Sequence, residues 1–177
     1  MTTQVIVLNG GSSSGKSAIA RCLKHILPRP WISFGVDDLI DRLPPAMLNS
    51  PSGLTFGPEG EVIVGEDFDE LQHAWLVGIA AMARAGARII LDEVFLGGAA
   101  SQERTRGYLT DLDVLWVGVR CAADVAAGRE IARGDRVIGM AVSQAEIVHR
   151  GVRYDVEVDS GRTESLDCAR TIASYVV

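Results

Sequence analysis

At 177 residues the chain is long enough for one sizeable hydrophobic core and short for two, so a single domain spanning 1–177 is expected. A hydrophobic fraction of 47%, only 6% of the chain being aromatic, suits a water-soluble α/β protein, and no stretch approaches the ~20 apolar residues that cross a bilayer. The net charge of −6 argues against a general nucleic-acid surface, the N-terminus lacks the basic region and cleavage site of a signal peptide, and a cytoplasmic location with neither nucleic acid nor membrane as partner is expected.

The first element is a β-rich run, Val5-Ile6-Val7-Leu8, predicted as a strand over 4–9. It leads into Gly10, Gly11, Ser12, Ser13, Ser14, Gly15, Lys16 and Ser17, which match the spacing G-x-x-x-x-G-K-[ST] of a phosphate-cradling P-loop. An amphipathic pattern predicts a helix over 16–27, so backbone N–H groups and a helix N-terminus would face an anion. In such a loop Lys16 bridges the outer phosphates and the Ser17 hydroxyl ligates Mg²⁺. Only two lysines exist, Lys16 and Lys24, so no lysine after residue 24 can supply the Asn/Thr-Lys-x-Asp element of a guanine reader, which argues against a regulatory GTPase.

A second strand is predicted over 31–36, ending at Asp37-Asp38. Asp37 lies where an acceptor hydroxyl would meet the γ-phosphate and is the candidate general base. Asp38 directly precedes "LIDRL", which suits a helix N-cap, and is assigned to structure. Residues 44–65 hold four of the six prolines, and "LTFGPEGEVIV" reads as a hairpin closed by Gly-Pro-Glu-Gly. An insertion of this length is commonly a binding loop, here on the acceptor side.

A helix over 66–85 follows, in which Trp75 falls on the apolar stripe and reads as core. The third core strand, 88–93, ends at Asp92-Glu93. Asp92 after four apolar-leaning residues is either a Mg²⁺ ligand or a turn cap, and the P-loop favours the metal role. Helix 99–109 leads to strand 113–120, whose last residue, Arg120, either stacks on adenine or is a surface arginine. Helix 122–133 carries Arg129 and Arg133, with Arg136 beyond, at i, i+4 and i+7. Glycines at 128 and 134 could hinge this segment, so 128–140 reads as a lid whose arginines stabilise phosphoryl charge; the alternative is a solvated face paired with Glu130 and Asp135. Helix 139–150, strand 154–159 and helix 163–175 complete the chain. His25, His73 and His149 stand singly and read as structural, and Cys22, Cys121 and Cys168 as reduced core residues.

Alternating strands and helices imply α/β architecture: a mostly parallel five-stranded sheet covered on both faces, a three-layer sandwich. In an open parallel sheet ligands bind beyond the carboxyl ends of the strands, so the P-loop, Asp37 and Asp92 are expected on one edge. Between residues 30 and 83 the only basic residue is Arg42, against Trp31, Phe34, Leu39, Ile40, Leu43, Met47, Leu48, Leu54, Phe56, Ile63 and Phe68. Recognition of an anionic acceptor calls for several arginines, so a neutral, partly aromatic alcohol is the expected small-molecule partner. Two readings remain: a small-molecule kinase, and an ATP-binding regulatory domain without an acceptor. Nothing in the pattern specifies an oligomeric state.

"LNGGSSSGKS", "FGVDDLI", "MARAGARIILDEVFLGGAA", "DLDVLWVGVRC", "GREIARGDRVIGMA" and "YDVEVD" together resemble the chloramphenicol 3-O-phosphotransferase family, over nearly the whole chain and in the same order. The resemblance implies a small P-loop-kinase fold, use of ATP and Mg²⁺, and phosphorylation of the primary hydroxyl of chloramphenicol. It also implies Gly10 to Ser17 as the ATP loop, Asp37 as catalytic base, and Arg133 and Arg136 as lid arginines. Glu93 stands where the family pattern has a second Asp, and 44–65 diverges most. Those departures bear on the acceptor rather than on the fold.

Overall fold

The computed structural model describes residues 2–57, 61–134 and 138–177. Five strands, β1 (Val5–Asn9), β2 (Ile32–Gly35), β5 (Ile89–Glu93), β6 (Val114–Arg120) and β7 (Val156–Asp159), form a sheet in the order β2-β5-β1-β6-β7. Every pairing in it is parallel. Parallel strands are covered on both faces and so read as continuous apolar runs, which is why "VIVL" and "IIL" are fully buried.

Side chains alternate across the sheet. On one face Ile6, Leu8, Ile90 and Val117 pack against Ile19 and Leu23 of α1 (Lys16–Ile26) and against Ala169 and Ile172 of α7 (Ser165–Ala173). On the other, Val5, Val7, Ile89, Leu91 and Trp116 meet Leu76, Ile79 and Ala83 of α3 (Glu66–Arg84), with Leu109 just beyond α4 (Ala99–Tyr108). The result is the expected three-layer α/β sandwich. The three cysteines are unpaired, Cys121 and Cys168 buried and Cys22 half-buried.

β1 is the central strand, and α1 leads from it toward β2 while α4 crosses back from β5 to β6 on its other side. The crossover direction therefore reverses at the carboxyl end of β1, the position where folds of this kind bind ligands. The register aligns Leu8 with Asp92 and Gly35 with Asp92, so the P-loop, the end of β2 and the end of β5 share one edge.

Two elements differ from the sequence expectation. The strand expected to run to residue 36 stops at Gly35, and a short helix, α2 (Val36–Ile40), begins there. Asp38 is consequently not the N-cap: Gly35 is, and Asp38 occupies the third helical position, from which its Oδ2 accepts the Gly35 N–H at 2.8 Å. The side chain still serves the helix end, by reaching back rather than by standing first. Asp38→Asn, which keeps an acceptor but loses the charge near the helix N-terminus, should lower stability by about 1 kcal/mol or less in chemical denaturation.

The insertion forms the expected hairpin, β3 (Leu54–Phe56) antiparallel to β4 (Val62–Val64). Its anticipated Gly-Pro-Glu-Gly turn includes residues 58–60, which lie outside the described residues. The hairpin has a small core of its own: Leu54 packs with Leu39, Leu43 and Phe68, and Met47, Val62 and Trp75 lean on them. Its base is tight, because Gly65 donates to the Gly53 carbonyl at 2.7 Å and a Cβ on Gly65 would lie 2.2 Å from the Ser52 carbonyl carbon. Glycine is required there by close approach. Of the apolar residues assembled from this span, Trp31, Leu39, Leu43, Leu54 and Phe68 are buried in the core, whereas Leu48, Phe56 and Ile63 remain exposed.

Candidate active site

The loop after β1 has the shape its glycines demand. Gly15 adopts φ 86°, in the left-handed region, and a Cβ on Gly10 would lie 2.7 Å from the Val119 carbonyl oxygen. Among the described residues the N–H groups of Ser13, Gly15, Lys16 and Ser17 donate to no protein acceptor, and the buried hydroxyls of Ser13 and Ser14 have no partner. Buried polar groups are normally paired. A cluster of unpaired donors at the head of α1 is therefore a cradle for an anion.

Lys16 arches back over the loop, its Nζ donating to the carbonyls of Gly10 at 2.7 Å and Gly11 at 3.0 Å. It also stands 3.6 Å from Asp92 Oδ1, and only 6% of the residue is exposed. Ser17 donates its hydroxyl to Asp92 Oδ2 at 2.9 Å. Burial pushes the Asp92 carboxyl above the ordinary aspartate range, Lys16 and the Ser17 hydroxyl pull it back, and the neighbouring Asp37 carboxylate pushes it up again. Asp37 thus belongs to the same electrostatic cluster, exposed at the mouth where Asp92 is deeper. Glu93, on the opposite face of β5, is pushed up to about 7 by burial first and by Asp92 second, with Arg104 and Lys16 pulling it down.

The described part of the segment expected to form a lid, 128–134 and 138–140, places its charged side chains in two settings. Arg133 is exposed in the last turn of α5 (Ala123–Arg133), which Gly134 closes in the left-handed conformation; Arg136 lies outside the described residues. Glu130, a solvated partner of the arginines in the alternative reading, is instead buried: it is 2% exposed and its two oxygens accept the N–H groups of Gly139 (2.8 Å) and Ala141 (2.7 Å) at the start of α6 (Met140–Ile147), while Asp135 lies outside the described residues. Arg129 is likewise turned inward, donating to the Ser160 carbonyl at 2.7 Å. Arg120 is held by Glu157 at 2.5 Å and lies over the Tyr154 ring, contacts that keep it against the end of the sheet.

Three contributions to the site carried no sequence signal. Asn9, the last residue of β1, donates to the Val148 carbonyl and the Tyr154 hydroxyl, and its Oδ1 accepts the Phe95 N–H, so it ties the P-loop strand to two other loops. Ser160 donates to the Ser14 carbonyl at 2.5 Å, and Gln144 accepts the Ser12 N–H at 2.7 Å. Arg104, distant in sequence from the acceptor-side span, is brought to α3, where it pairs with Asp69 at 3.0 Å. It lines a cavity of about 500 Å³ between α3 and α4, with Asp69, Glu70, His73, Leu76 and Tyr108, and that cavity contains none of the residues singled out from the sequence as site residues. No group of three or more His, Cys, Asp or Glu side chains is arranged to hold a metal among the described residues.

His149, read from the sequence as structural, is buried against Tyr154. It is 7% exposed, its Nδ1 lies 2.6 Å from the Tyr154 hydroxyl, and burial, then the positive Arg120, push it down to about 4. A histidine depressed from 6.5 contributes stability that is full above about pH 6.5 and is lost as the pH falls toward 4. Thermal midpoints measured across pH 7 to 4 should fall through that window, and His149→Gln should flatten the decline.

Comparison with known proteins agrees with this geometry. The family model described as chloramphenicol phosphotransferase-like protein matches residues 3–177. A Mycobacterium tuberculosis (strain H37Rv) protein named as a candidate O-phosphotransferase is 29% identical over 96% of this chain and 80% of its own length. Among solved structures, a sugar kinase from Janibacter sp. superposes with TM-score 0.66 at 20% identity, covering 97% of this chain and 95% of the other. The shikimate kinase of Acinetobacter baumannii, bound to shikimate, gives TM-score 0.61 at 17% identity over 97% of this chain and 91% of the other. These likenesses place the fold among the P-loop kinases.

Proposed function

The chain belongs to the chloramphenicol phosphotransferase-like family and is a phosphotransferase, and from that premise we propose that it moves the γ-phosphate of ATP to a hydroxyl of a small neutral molecule, chloramphenicol or a close chemical relative. The observation that carries this reading is the convergence at one sheet edge of unpaired P-loop amides, Lys16, the Ser17–Asp92 hydrogen bond and the nearby Asp37. On this reading 1–177 acts as one kinase domain, with 44–65 on the acceptor side and 128–140 as the lid.

The chain's own groups have distinct tasks. Gly10 to Ser17 receive the phosphates, and Lys16 would exchange its bonds to the loop carbonyls for phosphate oxygens. The oxygen-only pair of Ser17 and Asp92 fits a magnesium ion, a hard cation that takes one or two protein oxygens and completes its shell with phosphate and water. Such an ion neutralises charge on the phosphate oxygens. Asp37 orients the acceptor hydroxyl and takes its proton. Arg133 and Arg136 meet the charge on the transferred group, and Arg120 would reach adenine only by leaving Glu157 and Tyr154. No helix is long and apolar enough to cross a membrane among the described residues; a cytoplasmic location is part of this proposal.

The acceptor argument gains support from the tertiary structure. The cation that folding adds to this side, Arg104, is paired with Asp69 and faces Glu93 from a distance, so acidic groups offset it. An anionic acceptor gains little from a cation already satisfied. The test is incubation with ATP-Mg²⁺ and a panel of chloramphenicol, related aryl alcohols, shikimate, gluconate and nucleoside monophosphates, with phosphorylated product read by mass. Product from chloramphenicol or an aryl alcohol is expected. Phosphorylation of an anionic acceptor with no turnover of any neutral alcohol would remove the acceptor assignment, and product from an aryl alcohol but not chloramphenicol would keep the mechanism and change the named substrate.

A further inference from the structure

We infer that Gln144, on α6, is a positioning residue for phosphoryl transfer, coupling the shape of the P-loop through α6 to Glu130 on α5. The inference rests on the ATP-binding reading above. Gln144 is 4% exposed, and its Oε1 accepts the Ser12 N–H at 2.7 Å. Ser12 and Ser14, the latter donating to the Gly11 carbonyl at 3.3 Å, are loop amides turned out of the cradle, while among the described residues the N–H groups of Ser13, Gly15, Lys16 and Ser17 stay open. One side-chain carbonyl thus fixes the peptide just before the cradle, and with it the direction of the amides that follow.

The contact is a close one. A Cβ on Gly11 would meet the Gln144 Cβ at 3.2 Å and its backbone carbonyl carbon at 3.3 Å, so α6 lies directly on the loop. Its far end is pinned too, by Asn9 Nδ2 donating to the Val148 carbonyl at 2.8 Å. At its near end both oxygens of the buried Glu130 hold the Gly139 and Ala141 amides, and Glu130 stands one turn before Arg133 on α5. A continuous chain of buried and part-buried hydrogen bonds and helix therefore runs from Ser12 through Gln144 and α6 to Glu130 on α5. Removal of the Gln144 acceptor leaves the half-buried Ser12 N–H without its protein partner, which favours rearrangement of the loop.

The test uses Gln144→Met, which keeps the volume and removes the acceptor, and Glu130→Gln, alone and combined, in the full chain. Gln144→Met should raise the dissociation constant of ATP-Mg²⁺, measured by calorimetry with a non-hydrolysable analogue, by about tenfold and lower kcat by a similar factor. It should leave KM for the acceptor unchanged. Because both residues act through one chain, the double variant should be worse than the poorer single variant by no more than about twofold. In an amide NMR spectrum without nucleotide, Glu130→Gln should shift the Ser12 resonance in the Gln144 background and not in the Met background. Wild-type nucleotide affinity in Gln144→Met, multiplicative effects in the double variant, or a Ser12 resonance indifferent to Glu130 would each overturn the coupling. Should Gln144→Met not fold, the response of Ser12 to Glu130→Gln in the native background decides alone. Failure of the native protein to bind ATP-Mg²⁺ would remove the functional reading, and is separable because the Ser12 response needs no nucleotide.

Discussion

Replacing Lys16 with alanine abolishes phosphoryl transfer to within the detection of a mass-based product assay, a loss of on the order of 10³-fold or more, and Ser17→Ala weakens it severely. The expectation follows from where the two groups stand. Lys16 Nζ is buried between two loop carbonyls and Asp92, and the Ser17 hydroxyl is bonded to the same carboxylate. A buried ammonium among preorganised donors acts in a low-dielectric setting, where loss of one such group from a transition-state cradle costs on the order of 10²–10³-fold by itself. Loss of Lys16 also leaves the Gly10 and Gly11 carbonyls and the Asp92 carboxylate without their partner, so the loop is disturbed as well as discharged. Thermal unfolding run alongside separates the two effects: a folded Lys16→Ala protein that binds ATP-Mg²⁺ and turns over at the native rate would refute the P-loop assignment.

The second large effect is expected at Asp37. Asp37→Asn should lower kcat by about 10²-fold or more while nucleotide binding persists, since the amide keeps the shape of the side chain and cannot take a proton. Asp37 is exposed at the end of the sheet and raises the Asp92 carboxyl through space, which puts it beside the proposed metal ligands and open to an acceptor. Asp38, one residue on, is bound to the Gly35 N–H and beside Arg42, and its asparagine variant should turn over normally. Loss of transfer from Asp38→Asn with native turnover in Asp37→Asn would reverse the assignment. Equal and modest losses in both would mean that positioning, rather than proton removal, limits the reaction.

The hairpin of β3 and β4 shows how far local pattern reaches. Its two strands were legible because "LTF" and "VIV" flank a glycine- and proline-rich turn, and short-range pairing depends on residues close in the chain. Its core was not legible, because Leu39, Leu54 and Phe68 come from three separate elements and Leu43 from the loop after α2, and only their packing separates core from pocket lining. The same limit explains α2. A strand period and a single helical turn compete over "FGVDDLI", and the Asp38 bond back to Gly35 decides the boundary.

By itself the sequence determined the layer architecture and the chemistry at the head of α1. Apolar period, strand-ending carboxylates and the glycine spacing of the P-loop are local features, encoded in neighbouring residues and readable wherever backbone geometry depends on them. Tertiary structure alone decided what surrounds that loop. Gln144, Ser160 and Asn9 reach Ser12, Ser14 and Val148 from 132, 146 and 139 positions away in the chain. Glu130 and Arg129, which share a helical face pattern with Arg133, turn inward because α6 and the loop after β7 offer them buried partners. A charged side chain goes to solvent or to the interior according to whether such partners exist, and the partners are supplied by the fold.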